Sequence, residues 1–303
     1  MPEIEDVTPA EATVILNLDL GKVTNRRRID SDTDAVDTEI DREMLHIGID
    51  LFDAKELRDC QNFQARLKNG IKHYCVPSFF RGGMYMVKME AIEIVDKMIY
   101  DAIEEFRPLV EAFANVVDQR RDESKERLGP AFDASAYPNR EQVLGAYRID
   151  HRWLTMGTPD SLKKISLEFF NREKAKAEKT LQRATEGITA LLAAEVKELG
   201  DHLVERLTWD ESDPQAKPKQ IRKSAVENIR AFLETFSLRN IGTSEELEEQ
   251  IAKIDKLLTD VDAKDLRMNA KLREDVKKGF KEVSKSLDII ITEKPKRYMG
   301  GDE

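Results

Sequence analysis

No proline interrupts the chain between Pro159 and Pro214, and through most of that span the apolar residues keep to one stripe. Leu181, Ala184, Ile188, Leu192, Val196, Leu199, Leu203 and Leu207 advance by threes and fours, which places them on one face of an α-helix. With Thr158 as N-cap and Pro159 at the first helical position, the spacing predicts a helix of about 47 residues, on the order of 70 Å at 1.5 Å per residue. A helix of that length must bury its stripe against another helix, in its own chain or in a partner's. This single feature sets the class: a mainly α protein built on a long helical hairpin or coiled coil.

Other segments fit around it. Residues 54–76 read as a helix through Leu57, Phe63, Leu67, Ile71 and Tyr74, ended by Pro77. A second long pattern covers residues 89–128, where Ile92, Val95, Ile99, Ala102, Phe106, Leu109, Phe113 and Val116 share a face and Pro108 sits inside it. Val14, Leu16, Leu18 and Leu20 alternate as a half-buried strand does. Residues 79–87, FFRGGMYMV, read as a tight extended pair around Gly82 and Gly83, and 148–156 as another extended piece. Asn139 with Gln142 three residues on is a capping box for a short helix. After residue 207 come three helical patterns, 220–238, 244–260 (capped by Thr243 with Glu246) and 263–291.

The domain reading is a flexible stretch over 1–13, a long-helix domain with a small β element over 14–208, and a proline-bearing linker over 209–219. A C-terminal helical bundle over 220–293 and a flexible tail over 294–303 complete it. Pairing of 89–128 with 160–207 is the economical hairpin, and their unequal lengths would leave part of the longer stripe for another partner. A straight helix over 89–128 would carry the chain about 60 Å from its start. Either Pro108 folds the helix back, so that 148–156 can rejoin the other strands, or 148–156 belongs to a separate tip; the fold-back is the favoured reading.

Composition agrees with long solvated helices: 36% of residues are charged, 7% are aromatic, and only 14 glycines and 10 prolines are present. The net charge of −10 disfavours nucleic acid as the main partner, because phosphate binding needs a basic face. Two cysteines, Cys60 and Cys75, make no disulfide framework and fit a reducing compartment. No apolar run reaches the roughly 20 residues of a membrane span, and the N-terminal residues lack the pattern of a secretory signal. A cytoplasmic protein with no membrane association is expected.

Catalytic signatures are missing from the sequence. Neither a Walker-type loop nor G-x-G-x-x-G occurs, and His46, His73, His151 and His202 lack partners at zinc-ligand spacing. Asp30, Asp32, Asp34 and Asp41 match a calcium loop in part, but Ala35 stands where the turn wants glycine, so an acidic loop is the simpler reading. No metal or cofactor is implied. Tyr137, Tyr147, Arg148, Arg152 and Trp153 combine aromatics with arginines as interface anchors do, or as a small satellite core would. Arg26, Arg27 and Arg28 form a basic run that could meet phosphate or an acidic partner, as could residues 217–223 and 294–297.

The order of features also resembles a family. FFRGGMYMV followed by MEAIEIVDKM, then AYPNREQVLGAYRIDHRWLTMGTP before the long helix, and ENIRAFLETFSLRNI, EELEEQIAKIDKLL and LRMNAKLREDV after it, are similar to an uncharacterised bacterial and phage family of coiled-coil-rich proteins. Its members are often encoded beside MoxR-type AAA+ ATPases and von Willebrand factor A domain proteins. The resemblance spans most of residues 40–298 and rests on spacing, so it implies no active-site residue. It implies a non-enzymatic assembly or adaptor role beside an AAA+ ATPase, with homo-oligomers open. Two alternatives remain: a nucleic-acid-associated factor using the basic loops, and an enzyme with a site near residues 137–156 that includes His151 or His202.

Overall fold

A computed structural model describes residues 12–29, 47–78, 81–155, 157–208 and 221–293. The acidic 30–41 loop, the 209–219 linker, the 1–11 and 294–303 ends, and the basic runs at 217–220 and 294–297 lie outside those residues. The chain is mainly helical with a small antiparallel element. It divides into two compact units: one from Met1–Leu16, His73–Ile92 and Trp153–Glu303, the other from Asn17–Lys72 and Glu93–Arg152. In the four-stranded sheet the order is β4 (Val76–Pro77), β5 (Met84–Lys88), β1 (Thr13–Gly21), β6 (Arg148–Thr155). Strands β2 (Arg26–Ile29) and β3 (Ile47–Asp50) form a separate antiparallel pair.

The Asn17–Lys72 and Glu93–Arg152 unit is organised along one helix. Helix α1 (Lys55–Lys72) lies antiparallel to α2 (Ile92–Leu128). Phe63 stacks on Phe106 at 5.2 Å, Met98 lies against Gly70, and Arg120 reaches Glu56 at 3.0 Å. Leu57, Cys60, Phe63, Leu67 and Ile71 of α1 are buried, as are Ile99, Ala102, Phe106, Val110 and Phe113 of α2, both sets at helical spacing.

Pro108 does not fold α2 back. The helix passes through it unbroken. Pro108 and Glu104, whose carbonyl loses its donor, are both exposed, so water can satisfy the freed oxygen and the helix survives the missing bond. The fold-back is unnecessary because the chain returns along α2 in stages, first through residues 140–147 and then along β6 itself. Arg140 bonds Asn115, Tyr147 packs edge-on to Phe106 and Phe113, and His151 reaches Asp96. The chain comes back step by step along α2 and enters β6 beside its middle. That return covers about 27 Å rather than the whole helix, leaving room for α3 (Arg140–Ala146). Its expected capping box is present, with Asn139 Oδ1 accepting from the Gln142 N–H and Gln142 Oε1 from the Asn139 N–H.

In the other unit the long helix begins later than its proline suggests. Residues Asp160–Lys164 make a 3₁₀ turn, and α4 (Leu167–Leu207) starts from Ser166, whose hydroxyl accepts from the Phe169 N–H. Pro159 therefore opens the turn and Ser166 caps the helix. The antiparallel partner of α4 is α8 (Ala270–Glu293), while residues 89–128 supply α2 of the other unit. Ser284 bonds Asp201 at 2.9 Å, and Lys197 lies 3.6 Å from Asp288. A Cβ at Gly200 would stand 2.9 Å from the Phe280 ring, and one at Gly279 2.6 Å from Leu257 of α6 (Glu245–Leu258). The two glycines are notches that admit these side chains.

Helix α5 (Lys223–Arg239) completes the cover. Ile188, Leu192, Val196, Leu203 and Leu207 of α4 share one apolar core with Ile229, Phe232, Ile254, Phe280 and Leu287. The helices on both sides of residues 209–219 thus belong to one body, and the expected split into domains at that point is corrected. The stripe of α4 finds its partners in its own chain. It also stops early, because residues 171–183 are exposed apart from half-buried Glu173 and Leu181.

Two smaller expectations change. Thr243 does not cap α6: its hydroxyl and N–H both donate to Asn240 Oδ1, and Ser244 precedes the helix. The pattern at 263–291 is two helices, α7 (Ala263–Met268) and α8, because Asn269 Oδ1 accepts from the Leu272 N–H and restarts the helix.

Candidate functional site

The aromatic group foreseen around residues 137–153 divides on folding. Tyr137 is buried edge-on to Phe52 at 5.1 Å, and Phe52 meets Phe113 in the same way at 5.5 Å. Tyr147 is buried between Phe106 and Phe113. Both tyrosines are buried among these rings. Arg148 is exposed and held by Asp19 at 2.7 Å and Asp150 at 3.0 Å. Arg152 is exposed and Trp153 half-buried.

In the basic run at 26–28, Arg26 and Arg27 are neighbours on β2. A strand sends alternate side chains to opposite faces, and Arg27 pairs with Asp133 at 2.8 Å. Arg26 lies across Gly48 of β3, where a Cβ would stand 2.7 Å from its Nε. The side chain of Arg28 lies outside the described residues. Lys223, at the end of the 217–223 run, pairs with Glu227 at 2.6 Å.

Buried polar groups here serve packing. Glu56 and Arg120 join α1 to α2, and the bond from Arg120 holds the Glu56 carboxyl below its usual range. Cys60 is fully buried and desolvation pushes its thiol up to about 11, the opposite of what a nucleophile requires. Burial raises the Tyr147 phenol as well, and its hydroxyl has no hydrogen-bond partner among the described residues. His151 Nε2 lies 3.2 Å from Asp96 Oδ1 with the Tyr100 ring edge-on at 5.5 Å, a polar pair on α2 and β6. His73 and His202 are exposed. No group of three or more potential metal ligands occurs among the described residues, and no helix there is long and apolar enough to cross a membrane.

A groove that the sequence reading missed lies between α1 and α2. It encloses about 540 Å³, with Phe63, Leu67, Met98 and Ala102 on its floor and Arg66, Lys97, Asp101 and Glu105 on its rim. Ile94, 42% exposed, stands at its edge. Arg66 lies over the Phe63 ring at 5.5 Å, and Lys97 bonds Asp101 at 2.6 Å. Beside the groove the two helices approach closely, and a Cβ at Gly70 would stand 3.4 Å from the Met98 sulfur. The only signal in the sequence was an apolar residue, Ile94, beside the buried stripe of α2. No protein-family model, curated protein or solved structure matches the chain.

Proposed function

We propose that this chain is a non-enzymatic assembly protein, an adaptor that seats an amphipathic helix of a protein partner between α1 and α2. The groove carries the reading: an apolar floor with charges of both signs on its rim is what helix-in-groove recognition uses. The partner we propose is an AAA+ ATPase of a bacterial or phage system, in the cytoplasm. Support for that choice comes from the resemblance in the order of the extended pieces and long helices.

The test uses the full-length chain with the AAA+ ATPase encoded nearest to it. Ile94→Glu is expected to leave the circular dichroism spectrum unchanged, since Ile94 is partly exposed, and to weaken the complex at least tenfold by calorimetry. A photo-crosslinking residue at position 94 is expected to label the ATPase. Unchanged affinity in Ile94→Glu removes the groove, and no complex with the ATPase removes the partner.

A further inference from the structure

Residues 171–183 of α4 are exposed apart from half-buried Glu173 and Leu181. They include five basic and two acidic residues, in a chain whose net charge is −10. Arg172, Lys176, Lys179 and Arg183 are spaced by four, three and four. At 100° per residue they fall within an arc of about 60°, over about 16 Å of axis. Ala184, Ile188 and Leu192, which face the core, are centred about 150° away on the same wheel. All four cations are exposed, so they form one outward stripe opposite the buried face.

Their neighbours leave them available. Arg172 lies over the Phe169 ring at 5.0 Å, and Arg172 and Lys176 share Glu173, at 3.4 and 2.8 Å, in ion pairs, which contribute about 0–1 kcal/mol and exchange readily. Lys179 and Arg183 have no ion pair among the described residues. Glu168 and Glu186 flank the stripe at its two ends, and Glu178 sits on another side of the helix, 3.9 Å from Lys174. Thr180 and Gln182 border it, residue types that also reach phosphate oxygens.

The chemistry of this face selects among polyanionic partners. Protein interfaces are anchored by aromatic and apolar side chains and are depleted in lysine, and this arc offers no such anchor. Membrane-surface helices bury an apolar face beside their basic one. Here the face opposite the stripe carries Lys174, Ala177 and half-buried Leu181, with no broad apolar surface to bury in lipid. A row of cations without apolar residues suits a target whose binding is electrostatic along its whole length. We infer that the Arg172, Lys176, Lys179 and Arg183 stripe binds the phosphate backbone of a nucleic acid, without regard to sequence. The inference is independent of the groove between α1 and α2 and goes beyond the adaptor reading. The acidic remainder of the chain directs a polyanion to this helix and keeps the affinity modest, about 10⁻⁴–10⁻⁶ M at physiological salt.

The experiment is fluorescence anisotropy of the full-length chain with a labelled 30-base-pair DNA duplex and a single strand of the same length, across a salt series. Four phosphate contacts give a slope of log affinity on log salt near about −3.6 for the duplex and about −2.8 for the single strand. Lys179→Ala with Arg183→Ala is expected to make the duplex slope about 1.8 shallower, with the helical circular dichroism signal retained. Reversal of all four to glutamate is expected to abolish binding. No binding at 50 mM salt overturns the inference, as does a slope that the double variant leaves unchanged. Loss of binding in Arg26→Ala with Arg27→Ala instead would assign the contact to the β2–β3 pair. Tighter binding to phosphatidylserine vesicles, or displacement of DNA by polyglutamate at equal charge concentration, would replace nucleic acid by a membrane or an acidic protein.

Discussion

The two units solve the same problem with different side chains. The Asn17–Lys72 and Glu93–Arg152 unit wraps short elements around α2 and fills the space with rings: Phe52, Phe63, Phe106, Phe113, Tyr137 and Tyr147 meet edge-on or stacked at 5.1–6.3 Å. The unit built on α4 uses mostly aliphatic ridges, with glycines at 200 and 279 as notches. Rings fill wide gaps between elements that cross loosely, whereas notched helices approach closely along their length. The aromatic solution brings polar tips inside, and the Tyr147 hydroxyl is left unpartnered. Among the described residues the aliphatic one buries a single charged group, Arg239, bidentate to Glu195 and stacked on Phe232.

The largest expected effects separate the units. Phe113→Ala should destabilise the aromatic unit by about 3–5 kcal/mol and Leu192→Ala the aliphatic one by about 2–5 kcal/mol. Native-state hydrogen exchange should show each loss confined to its own unit. A loss shared equally by both would break the comparison and make them one cooperative body. Next comes Glu195→Ala, which leaves the buried guanidinium unpaired. A cost of about 2 kcal/mol is expected in denaturant unfolding, less than for a fully buried pair because Glu195 is 40% exposed.

Gly200→Ala tests the notch. Helix propensity favours alanine by about 1 kcal/mol, yet the Phe280 ring must move, so a net loss of about 1–2 kcal/mol is expected. A gain in melting temperature would show that the notch is spare space. Tyr147→Phe removes the orphan hydroxyl, and stability should be unchanged or up to about 1 kcal/mol higher. A loss would reveal a partner for that oxygen.

The smallest effect is acid dependence. The Glu56 carboxyl is held below its usual 4.5 by Arg120, so its contribution is complete above the unfolded pKa and is lost as pH falls through the folded value. Glu56→Gln should flatten the stability profile below about pH 4.5 and leave it parallel above. A profile that stays parallel to the lowest pH would assign the acid response elsewhere.

Much of the fold was legible from residue spacing. The helices, the β-strand at residues 13–21 and the Asn139 cap follow from local pattern, because period and capping are properties of a dozen neighbouring residues. Tyr137 and Tyr147 could not be assigned in the same way. An aromatic next to an arginine reads alike in a core and at an interface, and only the positions of Phe52, Phe106 and Phe113 settle which it is. The groove was hidden for a related reason. Its floor is made of residues 63–67 and 98–102, and nothing in either segment states which helix the other will meet. The basic stripe was hidden by its acidic neighbours, since a count along the chain averages charges that a helix separates by face.

The long prolineless stripe determined, by itself, that α4 would form and that its apolar face would be buried. It did not determine by what. Residues 89–128 and 270–293 offer comparable apolar faces, and any of them satisfies the periodicity. The choice of α8 was made by Gly200 facing Phe280 and Asp201 meeting Ser284, matches between residues some 80 positions apart in sequence. Tertiary structure also decided where the stripe ends. Sequence fixes which side of a helix is apolar, but only the reach of α5 and α8 sets how much of α4 is covered and leaves residues 171–183 facing water.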